Sequence, residues 1–413
     1  MKTLYTAEAL ATGAGRDGHG RTSDGRLDLD LAVPQEMGGS GEGTNPEQLF
    51  AVGYAACFHS ALHAVARAGK VDTSDSAVGS RVHIGPKEGG GYQLAVELEV
   101  TLPHLDPEAA QQLADGEVLV RNVVMSVDPY MRGRMNDVKS YVAPFVVDGP
   151  LDGGAVGEVI ASRSDAVAVG QHVLHGAGWR EHAVLPAKAV RVVDTDVAPA
   201  STYLGVLGLT GLTAYVGLTA VAGMREGDTV FVSGAAGAVG QAAGQIAKAL
   251  GAGRVVGSAG SADKVARVVE LGYDAAFSYR DGPVAEGLAS VVPDGIDVYF
   301  DNVGGEHLEA AIGALSTFGR VAMCGAISQY NSTEPPAAPR NLALAIGKGL
   351  TLRGFIVGQY PELVAEYHSR APRWLAEGRL VADETFRDGL DAAPQAFMDL
   401  LDGANMGKML LRL

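Results

Sequence analysis

The stretch "SGAAGAVG", residues 233–240, follows an apolar run, "TVFV", and opens a segment of small and apolar residues. Gly237 and Gly240 hold the second and third positions of a glycine fingerprint, with Ala235 at the first. Such a turn brings backbone N–H groups and a helix N-terminus to a dinucleotide pyrophosphate, although glycine also serves close helix–strand packing. The next apolar run leads into "VVGSAGSADK". Sheets that bind the unphosphorylated dinucleotide end this strand with Asp or Glu, which accepts from the ribose 2′-hydroxyl. Here Gly257, Ser258 and Ser261 stand there instead, Asp263 comes only within the next helix, and Lys264 lies in that helix's first turn. No carboxylate repels a 2′-phosphate and a cation can meet it, so the spacing points to NADPH; the alternative is a solvated lysine.

Two further clusters carry chemistry. Cys57 lies in the apolar segment "NPEQLFAVGYAACFHSALHAVARAG". A free cysteine in such a helix is ordinarily a small buried hydrophobe, and a reactive thiolate needs a nearby cation. Glu47 is about 15 Å away along the same helix. His59 and His63 are spaced i, i+4 and could share a metal. No third ligand is evident, so packed or solvated imidazoles are the expectation and no metal is assigned.

The elements that would position these residues fall into two patterns. From residue 229 onward, six apolar strands alternate with helices: "TVFVSG", "RVVGS", "DAAFSY", "IDVYFDNVGG", "RVAMCGA" and "TLRGFIV", with "HLEAAIGALSTFG" read as a helix. That alternation predicts a doubly wound parallel sheet. The flanks, 116–203 and 372–413, are short strands punctuated by glycine, which suggests a small β-rich, barrel-like domain with a substrate cleft between it and the sheet. Residues 1–115 read as an α+β module. "RLDLDLAV" is a strand with one wet face, Asn45 and Pro46 start the apolar helix and Gly69 stops it, "SRVHIG" and "QLAVELEV" form a hairpin around "PKEGGG", and a second helix begins before residue 115.

The net charge of −16 argues against nucleic acid or an anionic membrane as the main partner. Two cysteines, Cys57 and Cys324, are too few for a disulfide framework or a four-thiolate zinc site. "MKTLYTAEALATG" lacks the apolar core of a signal peptide, and no apolar run approaches membrane-spanning length. A soluble, cytoplasmic chain of two or three domains is expected.

"GRDG", "GTNPEQLF" and "YAACF" resemble the organic hydroperoxide resistance branch of the OsmC-like family over roughly the first 115 residues. The resemblance implies a peroxide-reducing cysteine, Cys57, activated by Arg16 paired with Glu47 at a homodimer interface. It then stops: the segment carrying the family's resolving cysteine is missing, and the next cysteine is Cys324. From about Glu117 to the end, "VDPYMRGRM", "GLTAYVGL", "AAGAVG", "DNVGG", "CGAISQYN" and "NMGK" resemble the zinc-independent double-bond reductases of the medium-chain dehydrogenase/reductases. That resemblance implies a GroES-like substrate domain and a Rossmann domain. It implies NADPH held by Gly237, Ala238, Val239 and Gly240, with Lys264 on the 2′-phosphate and Tyr279 and Asn302 beside it. Cys324, Gly325, Ala326, Ile327, Ser328, Gln329 and Tyr330 would line the cofactor. Phe355, Ile356 and Val357 would flank the nicotinamide, and Asn405 would close over it. Cys324 reads as a packing residue.

Without a Lewis acid such a site suits conjugate reduction: hydride goes to the β-carbon of an enal or enone while a hydrogen-bond donor stabilises the developing enolate. Tyr330 is the candidate donor and Tyr130 lines the pocket; a phenol stays protonated at neutral pH. Two departures stand out. The family's Met-Pro-Gly is here Leu209-Thr210-Gly211, and some 30–40 residues of first strands are missing before "GEVLVRN". "QQLADGEVLVRN" therefore reads as a seam near Asp115-Gly116, joining residues 1–115 to a substrate domain of 116–203 plus 372–413 and a cofactor domain of 204–371. The leading function is NADPH-dependent enone reduction. Thiol peroxidase action at Cys57 and a non-catalytic dimerisation module are the rivals.

Overall fold

The computed structural model describes residues 3, 5–68, 72–87, 91–101, 113–147, 149–334 and 337–413. The chain divides into two compact units, Met1–Gln112 and Leu113–Leu413. Gln111 and Gln112, the segment expected to begin a second helix, Gly69 and the tip of "PKEGGG" lie outside the described residues, whereas Asp115 and Gly116 at the expected seam are described.

In the first unit, β1 (Ala9–Ala14), β2 (Asp17–Thr22) and β3 (Asp28–Asp30) form an antiparallel sheet in that order. The apolar helix α1 (Pro46–Ala68) follows, then the hairpin β4 (Ala77–Pro86) and β5 (Tyr92–Thr101). Asn45 caps α1 reciprocally: its Oδ1 accepts from Gln48 N–H at 2.9 Å, and Gln48 Oε1 accepts from Asn45 N–H at 3.1 Å. Pro46 is the first helical residue. Burial within this unit is thin, and Phe50, Val52, Tyr54 and Phe58 of α1 stay exposed.

The second unit starts on β6 (Glu117–Ser126), whose valines at 118, 120 and 124 are buried by the period-two alternation of a half-wet strand. It continues through the short helix α2 (Met131–Arg134), β7 (Ala155–Ser162), β8 (His172–His175), β9 (His182–Pro186) and β10 (Arg191–Val193). Helix α3 (Leu209–Val216) leads to β11 (Thr229–Val232), α4 (Ala238–Ala249), β12 (Arg254–Ala259), α5 (Ala262–Glu270), β13 (Ala275–Ser278), α6 (Val284–Val291) and β14 (Ile296–Asp301). Then come α7 (Gly305–Ala314), β15 (Leu315–Met323), α8 (Leu344–Lys348), β16 (Thr351–Gly354) and α9 (Glu362–Ala376). The chain returns through β17 (Glu384–Asp388), α10 (Ala393–Leu401) and β18 (Lys408–Arg412).

Six strands make an all-parallel sheet in the order β13-β12-β11-β14-β15-β16, the doubly wound arrangement expected from the alternation. The order reverses beside β11, so the turn after that strand opens onto a crevice. One boundary differs from the sequence reading. "LSTFG" belongs to β15 rather than to the helix before it, because Leu315 already pairs with Ile296 and is buried in the sheet core. The flanking strands build a second sheet, β10-β8-β7-β6-β18-β17, with β9 also paired to β6.

Phe231 is fully buried in the parallel sheet, with its ring centroid 5.0 Å from that of Tyr299 and 6.0 Å from that of Phe277. Truncating it removes an aromatic side chain from a close-packed core. Phe231→Ala should lower unfolding stability by about 3–5 kcal/mol, read as a shift of the urea midpoint of the second unit's transition.

Candidate functional site

The turn between β11 and α4 is built for an anion. Gly234 has φ +59, a left-handed conformation that only glycine adopts without strain. A Cβ on Gly240 would lie 2.2 Å from the Gly234 carbonyl oxygen, so Gly240 lets α4 pack against the turn. A Cβ on Gly237 would meet only that oxygen, at 3.3 Å, and otherwise project into free space. No side chain caps α4, so the N–H groups of its first turn face the cavity with the positive end of the helix dipole. The turn can cradle a pyrophosphate.

One cavity of about 460 Å³ runs from this turn along the C-terminal ends of the strands. At one end Ser261 caps α5 by accepting from Lys264 N–H. The Lys264 ammonium donates to the Gly403 carbonyl at 2.6 Å. Burial, then the nearby Arg280 cation, lower the Lys264 pKa. Tyr279 lines the same end. Lys264 lining this end, the exposed Arg280 near it and, among the described lining residues here, no carboxylate suit a phosphate monoester; Arg280 was not picked out from the sequence, where it reads as an ordinary surface arginine. In the middle, Asn302 Nδ2 donates to the Ser233 carbonyl at 2.8 Å, which fixes the strand ends beside the turn. Asn405 is held by its own loop, donating to the Gly407 carbonyl at 2.7 Å, and Gly407 N–H in turn donates to the Ala236 carbonyl at 2.8 Å.

At the other end stand three phenols. Tyr330 oxygen accepts from Ala326 N–H at 3.3 Å, leaving its own proton free. Burial raises its pKa. Tyr130 lines the cavity without a hydrogen bond to the described residues, its pKa pushed up to about 12 by burial and then by Asp128. Tyr141, on an irregular loop with no periodicity to flag it, lines the rim. Phe355, Ile356 and Val357 supply apolar wall. Cys324 opens one face to the cavity, but burial and Asp301 push its thiol up to about 12, so it stays a neutral thiol. Of the remaining residues read from the sequence, Gly325 and Ile327 line the cavity, whereas Ala326, Ser328 and Gln329 are not in its lining, Ser328 donating to the Val303 carbonyl at 2.6 Å. Leu209 and Thr210, the departure noted above, are in the wall.

In the first unit, Arg16 and Glu47 form a bidentate pair at 2.8 and 2.7 Å, and the Arg16 hydrogen bond holds Glu47 below the usual carboxylate range. Cys57 is exposed and stands apart from that pair on α1. His59 and His63 have ring centroids 4.4 Å apart, but each is engaged by a hydroxyl, Ser76 at 2.8 Å and Thr73 at 2.7 Å.

Three family models match: "N-terminal domain of oxidoreductase" over residues 101–193, "Zinc-binding dehydrogenase" over 238–372, and "OsmC-like protein" over 39–116. The first and third overlap at 101–116, across the seam read from the sequence. The chain is 40% identical over 305 residues to the NADPH-dependent curcumin reductase of Escherichia coli, covering 72% of this chain and 88% of the relative. It is 39% identical over 329 residues to the NADP(+)-dependent 2-alkenal reductase of Nicotiana tabacum, covering 78% and 94%. The crystal structure of CurA in complex with NADPH from Vibrio vulnificus superposes with a TM-score of 0.69 at 36% identity, over 81% of this chain and 98% of that one.

A doubly wound sheet with a glycine turn at its switch point and this degree of identity define the class: the chain belongs to the medium-chain dehydrogenase/reductases. Within them it groups with the NADPH-dependent curcumin reductase, the NADP(+)-dependent 2-alkenal reductase and the prostaglandin reductases, carrying an OsmC-like module at its N-terminal side. The zinc named in one family description finds no ligand set here: among the described residues no three His, Cys, Asp or Glu side chains converge. No helix among the described residues is long and apolar enough to cross a membrane.

Proposed function

We propose that the chain is an NADPH-dependent reductase of the carbon–carbon double bond of α,β-unsaturated aldehydes and ketones. The observation that carries this is Tyr330, a neutral phenol whose oxygen is already satisfied by Ala326 N–H and whose proton is free in the cavity that begins at the glycine turn. NADPH, when bound, supplies the hydride that the β-carbon accepts. Gly237 to Gly240 hold the pyrophosphate, and Lys264 with Arg280 hold the 2′-phosphate. Tyr330 donates a hydrogen bond to the carbonyl oxygen as negative charge builds there, and the enolate then takes a proton from solvent at its α-carbon to give the saturated product. The apolar wall of Phe355 and Ile356 excludes water from that charge. Purified full-length chain should oxidise NADPH when a simple enal is added and should leave NADH nearly untouched. Equal use of NADH, or no enal-dependent oxidation across a panel of enals and enones, would defeat the proposal.

The Arg16–Glu47 pair favours a second reading for the first unit, thiol-dependent reduction of organic hydroperoxides. Cys57 lies about 15 Å along α1 from Glu47, so the thiol meets an Arg16–Glu47 pair only if a second copy brings its own. The exposed Phe50, Tyr54 and Phe58 share one face of α1 and suit that homodimer. If the thiol does not turn over, the same face leaves the unit a dimerisation element. With a dithiol as reductant, Cys57→Ser should abolish loss of cumene hydroperoxide and leave enal-dependent NADPH oxidation unchanged. Size exclusion of the full chain reads the dimer.

A further inference from the structure

We propose that the buried ion pair between Lys408 and Asp128 is the positioning element for Tyr130, an inference that rests on the reductase reading of the cavity. Lys408 is 4% exposed and Asp128 7%, and both line the cavity. The Lys408 ammonium donates to Asp128 Oδ1 at 2.7 Å and to the Val127 carbonyl at 3.1 Å. The other Asp128 carboxylate oxygen accepts from the Ser126 hydroxyl. These contacts begin where the β-ladder runs out. Strands β18 and β6 pair from Arg412↔Val124 to Leu410↔Ser126, and the last backbone bond is Val127 N–H to the Met409 carbonyl at 3.2 Å. Beyond it the chain leaves the sheet, and Met131 N–H closes a turn on the Asp128 carbonyl at 3.2 Å. Tyr130 rides on that turn.

The Tyr130 hydroxyl bonds to none of the described residues, so no polar contact of its own aims it; its backbone and the packing of its ring against the core around Met125 and Met131 do. The ion pair is what holds that backbone. An apolar pair could fill the same volume without the desolvation cost of two buried charges, and the use best attested for such pairs is fixing one geometry among several. With the turn fixed, Tyr130 presents a neutral donor to the cavity that Tyr330 also lines, and the site acquires a second hydrogen bond to an oxygen-bearing substrate.

The test compares Tyr130→Phe in two backgrounds of the full chain, parent and Lys408→Met/Asp128→Asn, a neutral pair in which neither partner leaves the other's charge unpaired. In the parent, Tyr130→Phe should lower enal kcat/KM about tenfold, the worth of one well-placed hydrogen bond. In the neutral-pair background it should cost less than about twofold, because the phenol is already misplaced, while the KM for NADPH stays within about threefold of the parent. If the neutral pair does not fold, Ser126→Ala loosens the same carboxylate and serves as the second background. An equal Tyr130→Phe cost in both backgrounds, or no cost in either, overturns the positioning role. Loss of enal-dependent NADPH oxidation in the parent itself would instead overturn the reductase reading.

Discussion

Tyr330→Phe should lower kcat for enal reduction by about 10²–10³-fold while NADPH still binds. The ring remains to fill its place in the wall, and only the donor is lost. Two features make that donor effective. Its oxygen already accepts from Ala326 N–H at 3.3 Å, which fixes the hydroxyl and leaves its proton for the substrate. Burial, the largest influence on its pKa, raises it above the ordinary value of 10.0. The protonated form is the active one, so kcat should be flat through neutral and mildly alkaline pH and should fall only as pH rises through that elevated value. Stopped-flow traces of NADPH absorbance would separate the hydride step from product release. A Tyr330→Phe variant within about threefold of the parent, a change worth less than ~1 kcal/mol in barrier, would remove Tyr330 from the chemistry.

How far the sequence could foresee this follows from the range of each interaction. The glycine turn was legible because its chemistry is local: Gly234 needs a positive φ, Gly240 a close approach, and both needs lie within seven residues of chain. The six-strand parallel sheet was legible because apolar strands alternate with helices. Strands β1 and β2 were not, since every residue of β1 is exposed and glycine and threonine leave no period-two pattern to read. The start of β15 was missed because Leu315 is as apolar as the helix before it; only its partner Ile296 decides the conformation.

The same limit governs the site. Arg16 and Glu47 were named from motifs and are joined in the structure, but Lys408 and Asp128 lie 280 residues apart and Arg267 and Asp383 lie 116 apart. Spacing carries no trace of pairs made by the return of the chain. Asp383 shows what such a pair does. Its carboxylate is gripped by Arg267 of α5 at 2.8 Å and by Gln241 of α4 at 2.9 Å, while its carbonyl accepts from Lys408 N–H at 2.8 Å. The segment that carries Asn405 is thereby tied to α4 and α5.

Lys264→Ala should raise the dissociation constant for NADPH about 10–100-fold, the worth of a charge-assisted hydrogen bond, and leave that for NADH within about twofold. The lysine is the cation nearest the expected 2′-phosphate, and Arg280 beside it keeps the site positive in the variant, which is why the loss is partial. Burial first, and then Arg280, lower the Lys264 pKa from 10.5, so the parent's preference for the phosphorylated cofactor should fade as pH rises toward that lowered value, earlier than an exposed lysine would allow. Below it the ammonium is intact, and the preference should be largest near neutrality at low salt. Fluorescence titration of both cofactors at two ionic strengths measures each part. If Lys264→Ala weakened NADH and NADPH alike, the lysine would be holding the loop through Gly403 rather than the phosphate, and the discrimination would have to reside in Arg280.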